Sequence, residues 1–173
     1  SAGLVHKGLD VVLEAFVSMP DYHLTVCGPI AGEPEFEQAF NKELYETENI
    51  HTLGWVDVDS ESFVEILNSC IGVVYPSASE GGGGCVITCM HGGLIPVVNY
   101  EASIDVEDFG VMLNGISVDD VSAAVKALSS MPAEDLRRRS KAAWQYVRQQ
   151  HTREAFAQNY KTAINEIIAA TKC

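Results

Sequence analysis

"CIGVVYPSASEGGGGCVITCMHGGLIPVV", residues 70–98, decides the reading of the fold. It opens with a nearly all-apolar run stopped by Pro76, the pattern of a short buried strand. Four consecutive glycines follow, Gly81 to Gly84. Such a run costs conformational entropy on folding, so it belongs where something must approach the backbone closely. A short helix from about Val86 to His91 is expected next, ended by Gly92-Gly93. "LIPVV" then reads as another buried strand.

The same alternation extends to both sides. Leu9, Val12, Leu13 and Phe16 recur at helical spacing, so Gly8 to Ser18 reads as an amphipathic helix. "YHLTVCGP" and "NIHTLGW" read as strands, with a helix expected over Glu33 to Tyr45 between them. Ser60 or Ser62 is placed to cap a helix carrying Phe63, Ile66 and Leu67. "FGVMLNG" offers a last short strand. Three helices complete the chain: one with Val121, Val125 and Leu128, one starting around Pro132, and one over Thr152 to Ala170 that is apolar along one face. Short apolar strands separated by helices predict an α/β domain with a Rossmann-like, doubly wound parallel sheet flanked by helices. Ligands bind such sheets at the carboxyl ends of the strands, which selects the loops after Cys27, Leu53, Tyr75 and Val98.

Composition narrows the partners. The chain has 173 residues, 47% hydrophobic and 20% charged, which suits one globular domain with its own core. A formal net charge of -13 repels phosphate backbones, so nucleic acid is not an expected partner. No apolar run is long enough to span a bilayer. The start, "SAGLVHKGLD", shows no leader pattern and no initiator Met, and is expected to be part of a longer chain. Arg137-Arg138-Arg139 reads as a solvated helix face, with a docking patch for acidic lipid or protein as the alternative. Of the five cysteines (Cys27, Cys70, Cys85, Cys89, Cys173), Cys27, Cys70 and Cys85 border apolar stretches, where cysteine acts as a small hydrophobe. That usage fits a reducing, cytoplasmic compartment. Cys85, Cys89 and His91 match no common zinc spacing, so no metal site is expected.

Two phosphate motifs can be tested on the glycines. A P-loop needs Lys and Ser/Thr after its last Gly, but Cys85-Val86 stands there. A dinucleotide fingerprint from Gly81 or Gly82 needs a third Gly at Val86 or Ile87, and fails too. What remains is a helix N-terminus with free N–H groups, which suits a phosphate. Glu80, just before it, repels phosphate but accepts well from sugar hydroxyls; its other reading is a solvated loop carboxylate. Phosphate plus hydroxyls suggests a sugar nucleotide.

These residues resemble the donor-binding segment of GT-B glycosyltransferases of the family 4, group 1 type. The family pattern runs roughly P-S-x-x-E-G-F-G-x-x-x-x-E-A-M-x-x-G-x-P-V-V. Pro76, Ser77, Glu80, Gly81, Gly83, Met90 and Gly93 stand in step with it, and Pro96, Val97 and Val98 follow after one extra residue. "GLVHKGLDVVLEAF" resembles the family's G-R-L-x-x-x-K-G-x-x-x-L-x-x-A-F segment, and "HLTVCGP" and "NIHTLGWV" its next strands. The resemblance implies one nucleotide-sugar-binding domain over residues 1–173, the C-terminal half of a two-domain enzyme. The first strand would be truncated, and an acceptor domain, with any peripheral membrane association, would precede it. It implies retaining transfer from a donor such as a UDP- or GDP-sugar to a glycan or lipid-linked acceptor, without cofactor or essential metal.

Carried over residue by residue, the resemblance gives Lys7 to the donor diphosphate and Glu80 to the transferred sugar. Backbone N–H groups around Gly81, Gly82, Gly83, Gly84 and Cys85 would meet sugar and phosphate. Gly28 would border the cleft, and Gly54, Trp55 and Val56 fall where the base lies; a buried structural Trp55 is the alternative. Two positions depart from the pattern. The second family acid, which holds the ribose, falls at Thr88, and the arginine that partners the lysine falls at Ala2 or Gly3. Losing one charge-assisted contact typically costs about 1.5–3 kcal/mol, so a catalytically degenerate binding module is the rival reading. A sugar-nucleotide epimerase is a weaker one. "DVD", Asp57 to Asp59, imitates a D-x-D metal motif but precedes a capped helix, where a turn role is expected.

Overall fold

The computed structural model describes residues 3–171; Ala2 and Cys173 lie outside them. The chain runs α1 (Leu9–Val17), β1 (Leu24–Cys27), α2 (Pro34–Ala39), α3 (Asn41–Tyr45), β2 (Ile50–Gly54), α4 (Glu61–Ser69), β3 (Gly72–Tyr75), α5 (Gly84–His91), β4 (Ile95–Val98), β5 (Val111–Met112), α6 (Val118–Ser129), α7 (Ala133–Gln150) and α8 (Arg153–Ala170). The expected cap forms at Ser60, and α6 has one that the sequence reading did not name. Ser60 accepts from the Phe63 N–H, and Ser117 and Asp120 close a reciprocal capping box on α6.

Every strand pairing is parallel: β1 with β2, and β3 with β4 with β5. All four residues of β4 are buried, as a strand covered on both faces requires. Ile95 and Val97 face a core shared with α1, β1, β2 and α6, while Val98 joins Val86 and Met90 of α5 and Ala143 and Val147 of α7. Helices therefore cover opposite faces, the doubly wound arrangement read from the sequence. Met90 is fully buried in the second core; cutting such a side chain to Ala costs about 2–5 kcal/mol.

Several expectations need correction. The strands fall in two hydrogen-bonded groups, β1-β2 and β3-β4-β5, with no described ladder joining β1 to β3. The common core, rather than backbone pairing, holds the groups together. The helix expected over Glu33 to Tyr45 is kinked at Phe40, whose backbone leaves helical values (φ −108°, ψ 23°). Phe40 and Leu44 still donate to carbonyls four residues back, so Phe36, Phe40 and Leu44 all reach the core. Pro132 is the cap of α7 rather than its first residue. The last helix, α8, buries none of its residues: Phe156 is 69% exposed and Ile167 61%. No helix among the described residues is long and apolar enough to cross a membrane.

Candidate functional site

Residues 3–8 form a turn that ties the end of β1 to the end of β3. At one side the N–H groups of Gly3 and Leu4 donate to the Glu33 carboxylate, just past β1. At the other, His6 accepts the Ala78 N–H at 2.8 Å through its carbonyl, and its ring Nε2 donates to the Ser79 carbonyl at 2.8 Å. Gly8 makes this contact possible. Its φ is +72°, and a Cβ there would stand 2.3 Å from the Pro76 carbonyl oxygen.

That seam brings Lys7 and Glu80 together as an ion pair through Glu80 Oε1, with both side chains less than a fifth exposed. Tyr75 lies between them. Lys7 Nζ donates to Tyr75 Oη at 2.8 Å, and Tyr75 Oη donates to Glu80 Oε1 at 2.6 Å. The Ser77 hydroxyl reaches the same carboxylate oxygen at 3.4 Å. Lys7 first and Tyr75 second hold the Glu80 carboxyl below its ordinary range, while burial and the bond to Glu80 push the Tyr75 phenol up. Glu80 is thus a fixed, charged acceptor, not a solvated loop carboxylate.

The glycine turn lies beside this trio. Helix α5 starts at Gly84, two residues earlier than expected, and its cap, Gly83, offers no side-chain acceptor to the first-turn N–H groups. A Cβ at Gly81, Gly82 or Gly84 would meet nothing within 4 Å. The chain's own packing therefore does not demand glycine at Gly81 or Gly84, while Gly82 has φ +133° and Gly83 lies close to Ile104 and Ala102. The space before the turn is open to a ligand. Cys85 is exposed on the first turn of α5. Thr88, where the ribose acid was expected, donates its hydroxyl to the Gly84 carbonyl at 2.8 Å and keeps its lone pairs available.

Gly28 and Gly54 meet at the ends of β1 and β2, the Gly28 N–H donating to the Gly54 carbonyl at 2.8 Å. Gly54 has φ +71°, and a side chain on either glycine would meet open space. Trp55 is 74% exposed, which overturns its buried reading, and Val56 beside it is half-buried.

The loop after β4 completes the site. Buried Asn99 donates to the Ser77 carbonyl at 2.7 Å and to Glu101 Oε2 at 2.8 Å. The Glu80 N–H donates to the Glu101 carbonyl and Ser103 Oγ to the Glu80 carbonyl, both at 2.9 Å. A concavity of about 890 Å³ opens between this loop and Glu80, with Tyr100, Ser103, Asp105 and Glu107 in its wall. Its lining holds carboxylates and hydroxyls but no lysine or arginine, a surface for hydroxyls rather than for phosphate. Arg139 anchors the far end of the loop, donating to the carbonyls of Asp108 and Gly110, and Arg138 pairs with Asp108 at 3.4 Å. Arg139 thus braces the loop rather than facing water, while Arg137 and Arg138 are exposed, as a solvated helix face requires. Cys27 and Cys85 are exposed, not packed as small hydrophobes. Cys89 is the shielded thiol, pushed up to about 12 chiefly by burial. Asp57 accepts the Asp59 N–H in the turn before α4.

Sequence reasoning missed Tyr75, Gly8 and Asn99. A lone hydroxyl ending the apolar strand "IGVVY", directly before the glycine loop, was the available signal for Tyr75.

Comparison with known proteins gives three findings. The chain matches the family Glycosyl transferases group 1 over residues 2–146. No curated protein sequence matches it. Among solved structures it resembles Anabaena Alr3699/HepE, a structure in complex with UDP and glucose, with a TM-score of 0.78 at 13% identity over 96% of this chain and 47% of that one. The C-terminal domain of the glycosyl transferase group 1 family protein LpcC from Francisella tularensis gives 0.65 at 18% identity, covering 86% of this chain and 81% of that one. WaaG, a glycosyltransferase involved in lipopolysaccharide biosynthesis, gives 0.63 at 19% identity over 94% and 44%. The chain spans less than half the length of HepE.

Proposed function

Because this chain belongs to the glycosyl transferases group 1 family, we propose that it is the donor-binding half of a GT-B glycosyltransferase. It binds a nucleoside diphosphate sugar, such as a UDP- or GDP-sugar, for retaining transfer to a glycan or lipid-linked acceptor. The observation that carries this reading is the Lys7–Glu80 pair set beside an open glycine turn with an uncapped helix start. Lys7 and the α5 N-terminus stabilise charge on the departing diphosphate, a preorganised electrostatic role. Glu80, braced on three sides, orients the sugar. Thr88 offers its lone pairs to the ribose, and Gly28, Gly54, Trp55 and Val56 border the base. No cofactor or metal is required.

The acceptor site and further catalytic groups lie on another part of a longer cytoplasmic polypeptide, which also carries any membrane association. The exposed Phe156, Tyr160, Ile164 and Ile167 of α8 are suited to pack against that part. The chain alone is expected not to transfer sugar; transfer by the purified chain would overturn this division of labour. A second reading, a degenerate nucleotide-sugar-binding or interaction module, is favoured by one observation: at the arginine position, the Gly3 N–H is taken up by Glu33. Calorimetric titration with UDP- and GDP-sugars separates the two. Wild-type binding that weakens by about 1.5–3 kcal/mol in Lys7→Ala, and also in Glu80→Ala, supports the donor site. No binding of any nucleotide sugar favours an interaction role, and binding by the full-length protein without any sugar transfer favours a degenerate nucleotide-sugar-binding module.

A further inference from the structure

Tyr75 is the only member of the trio that both gives and takes a hydrogen bond. Its hydroxyl accepts from Lys7 at 2.8 Å and donates to Glu80 at 2.6 Å, and Lys7 Nζ also lies 5.5 Å from the centre of its ring. A lysine ammonium has three donors and no acceptor, and an ionised carboxylate has acceptors only. The ring of Tyr75 packs on the core formed by Val86, Val98 and Val147, a task a phenylalanine would perform as well. The hydroxyl is the surplus atom, and its hydrogen bonds go to the two site residues.

We propose that Tyr75 is a positioning residue of the donor site, whose hydroxyl keeps the Glu80 carboxylate aimed and anchored when Lys7 turns from Glu80 to a donor diphosphate. Lys7 is neutralised by Glu80, so binding a diphosphate draws the ammonium away from its partner. Glu80 then loses its charged donor at the moment it must hold the sugar. The Tyr75 O–H, fixed at the end of β3, stays as its donor alongside the weaker Ser77 contact. Lysine can keep one bond to Tyr75 Oη while another of its protons reaches the ligand, so the hydroxyl also guides the swing. The other titratable groups at the trio are Cys85, beside the Tyr75 hydroxyl, Glu101, whose backbone holds the Glu80 N–H, and His6 on the Ser79 carbonyl.

This role rests on the donor-site reading, and the test keeps the two apart. In Tyr75→Phe, with a cooperative melting transition as the folding control, the Glu80 carboxyl is followed by carbon NMR, assigned by its loss in Glu80→Gln. Its midpoint is expected to rise toward the ordinary carboxylate value. UDP-glucose affinity is expected to fall about threefold to tenfold, more than that for UDP, which carries no sugar. An unmoved Glu80 midpoint, with wild-type UDP-glucose binding intact, overturns the role of Tyr75 alone. Wild-type protein that binds neither probe overturns the donor site itself. Should Tyr75→Phe not fold, the Tyr75 phenol is titrated by absorbance in Glu80→Gln. A fall toward the ordinary phenol value supports the coupling, and no change overturns it.

Discussion

Gly8 and Pro76, 68 positions apart in the chain, touch backbone to backbone, with no room for a methyl group between the Gly8 Cα and the Pro76 carbonyl. This contact lets the Lys7 and Glu80 side chains meet. Gly8→Ala must either open the seam or strain a residue at φ +72°. It is expected to cost about 1–3 kcal/mol of stability and to weaken nucleotide-sugar binding at the same time. Denaturant unfolding and calorimetry on the same variant check both; normal binding with lost stability would separate the seam from the site.

Acid should dissolve the contribution of Glu80 to folding. Its carboxyl sits below the ordinary value of 4.5 because Lys7, then Tyr75, donate to it. A depressed acid contributes stability above its unfolded value and loses it as pH falls through the folded one. Glu80→Gln should therefore be less stable than wild type near neutral pH, and the gap should close as pH drops below about 4.5. Urea unfolding at a series of pH values reads this directly. A gap that widens in acid would contradict the ion pair.

Thr88 can be tested through its hydroxyl alone. Thr88→Val keeps the shape and removes both the bond to Gly84 and the lone pairs offered to a ribose. Binding of UDP should weaken by about 0.5–1.5 kcal/mol, while binding of 2′,3′-dideoxy-UDP should not change. Thr88→Glu, which supplies a charged acceptor, should tighten binding of UDP but not of the dideoxy analogue. Equal effects on both nucleotides would place the ribose elsewhere.

The cysteines report on the turn without any enzyme assay. Cys85 is exposed at the start of α5, whereas Cys89, one turn on, has its thiol pushed up to about 12 by burial. Only the thiolate attacks. A thiol reagent at mildly alkaline pH should modify Cys85 well before Cys89, and a nucleotide sugar should protect Cys85. Mass spectrometry of the peptides shows the order. Early labelling of Cys89 would mean that α5 opens.

What the sequence disclosed was what local spacing and short motifs encode. The helical spacing of Val12, Leu13 and Phe16, the capping serines and the buried strand "LIPVV" all have a signature within one or two turns of chain. Lys7 and Glu80 were legible because each sits in a motif with its own spacing. The bond from Lys7 to Tyr75 was not, since it joins segments 68 residues apart and leaves no period behind. Arg139 was misread for a related reason: on a helix of mixed charge, nothing local distinguishes an arginine facing water from one that holds the carbonyls of Asp108 and Gly110. The kink at Phe40 escaped because its apolar positions keep helical spacing through it.

The empty space before Gly81 and Gly84 uncouples durability from use. Nothing in the folded chain would object to a methyl group at either position, and at Gly84, a helical residue, alanine lowers the entropy of the unfolded chain by an amount worth about 0.4–1 kcal/mol. A screen that ranks variants by melting temperature would therefore reward filling this turn, and would retain the most robust molecules among those that can no longer admit a phosphate.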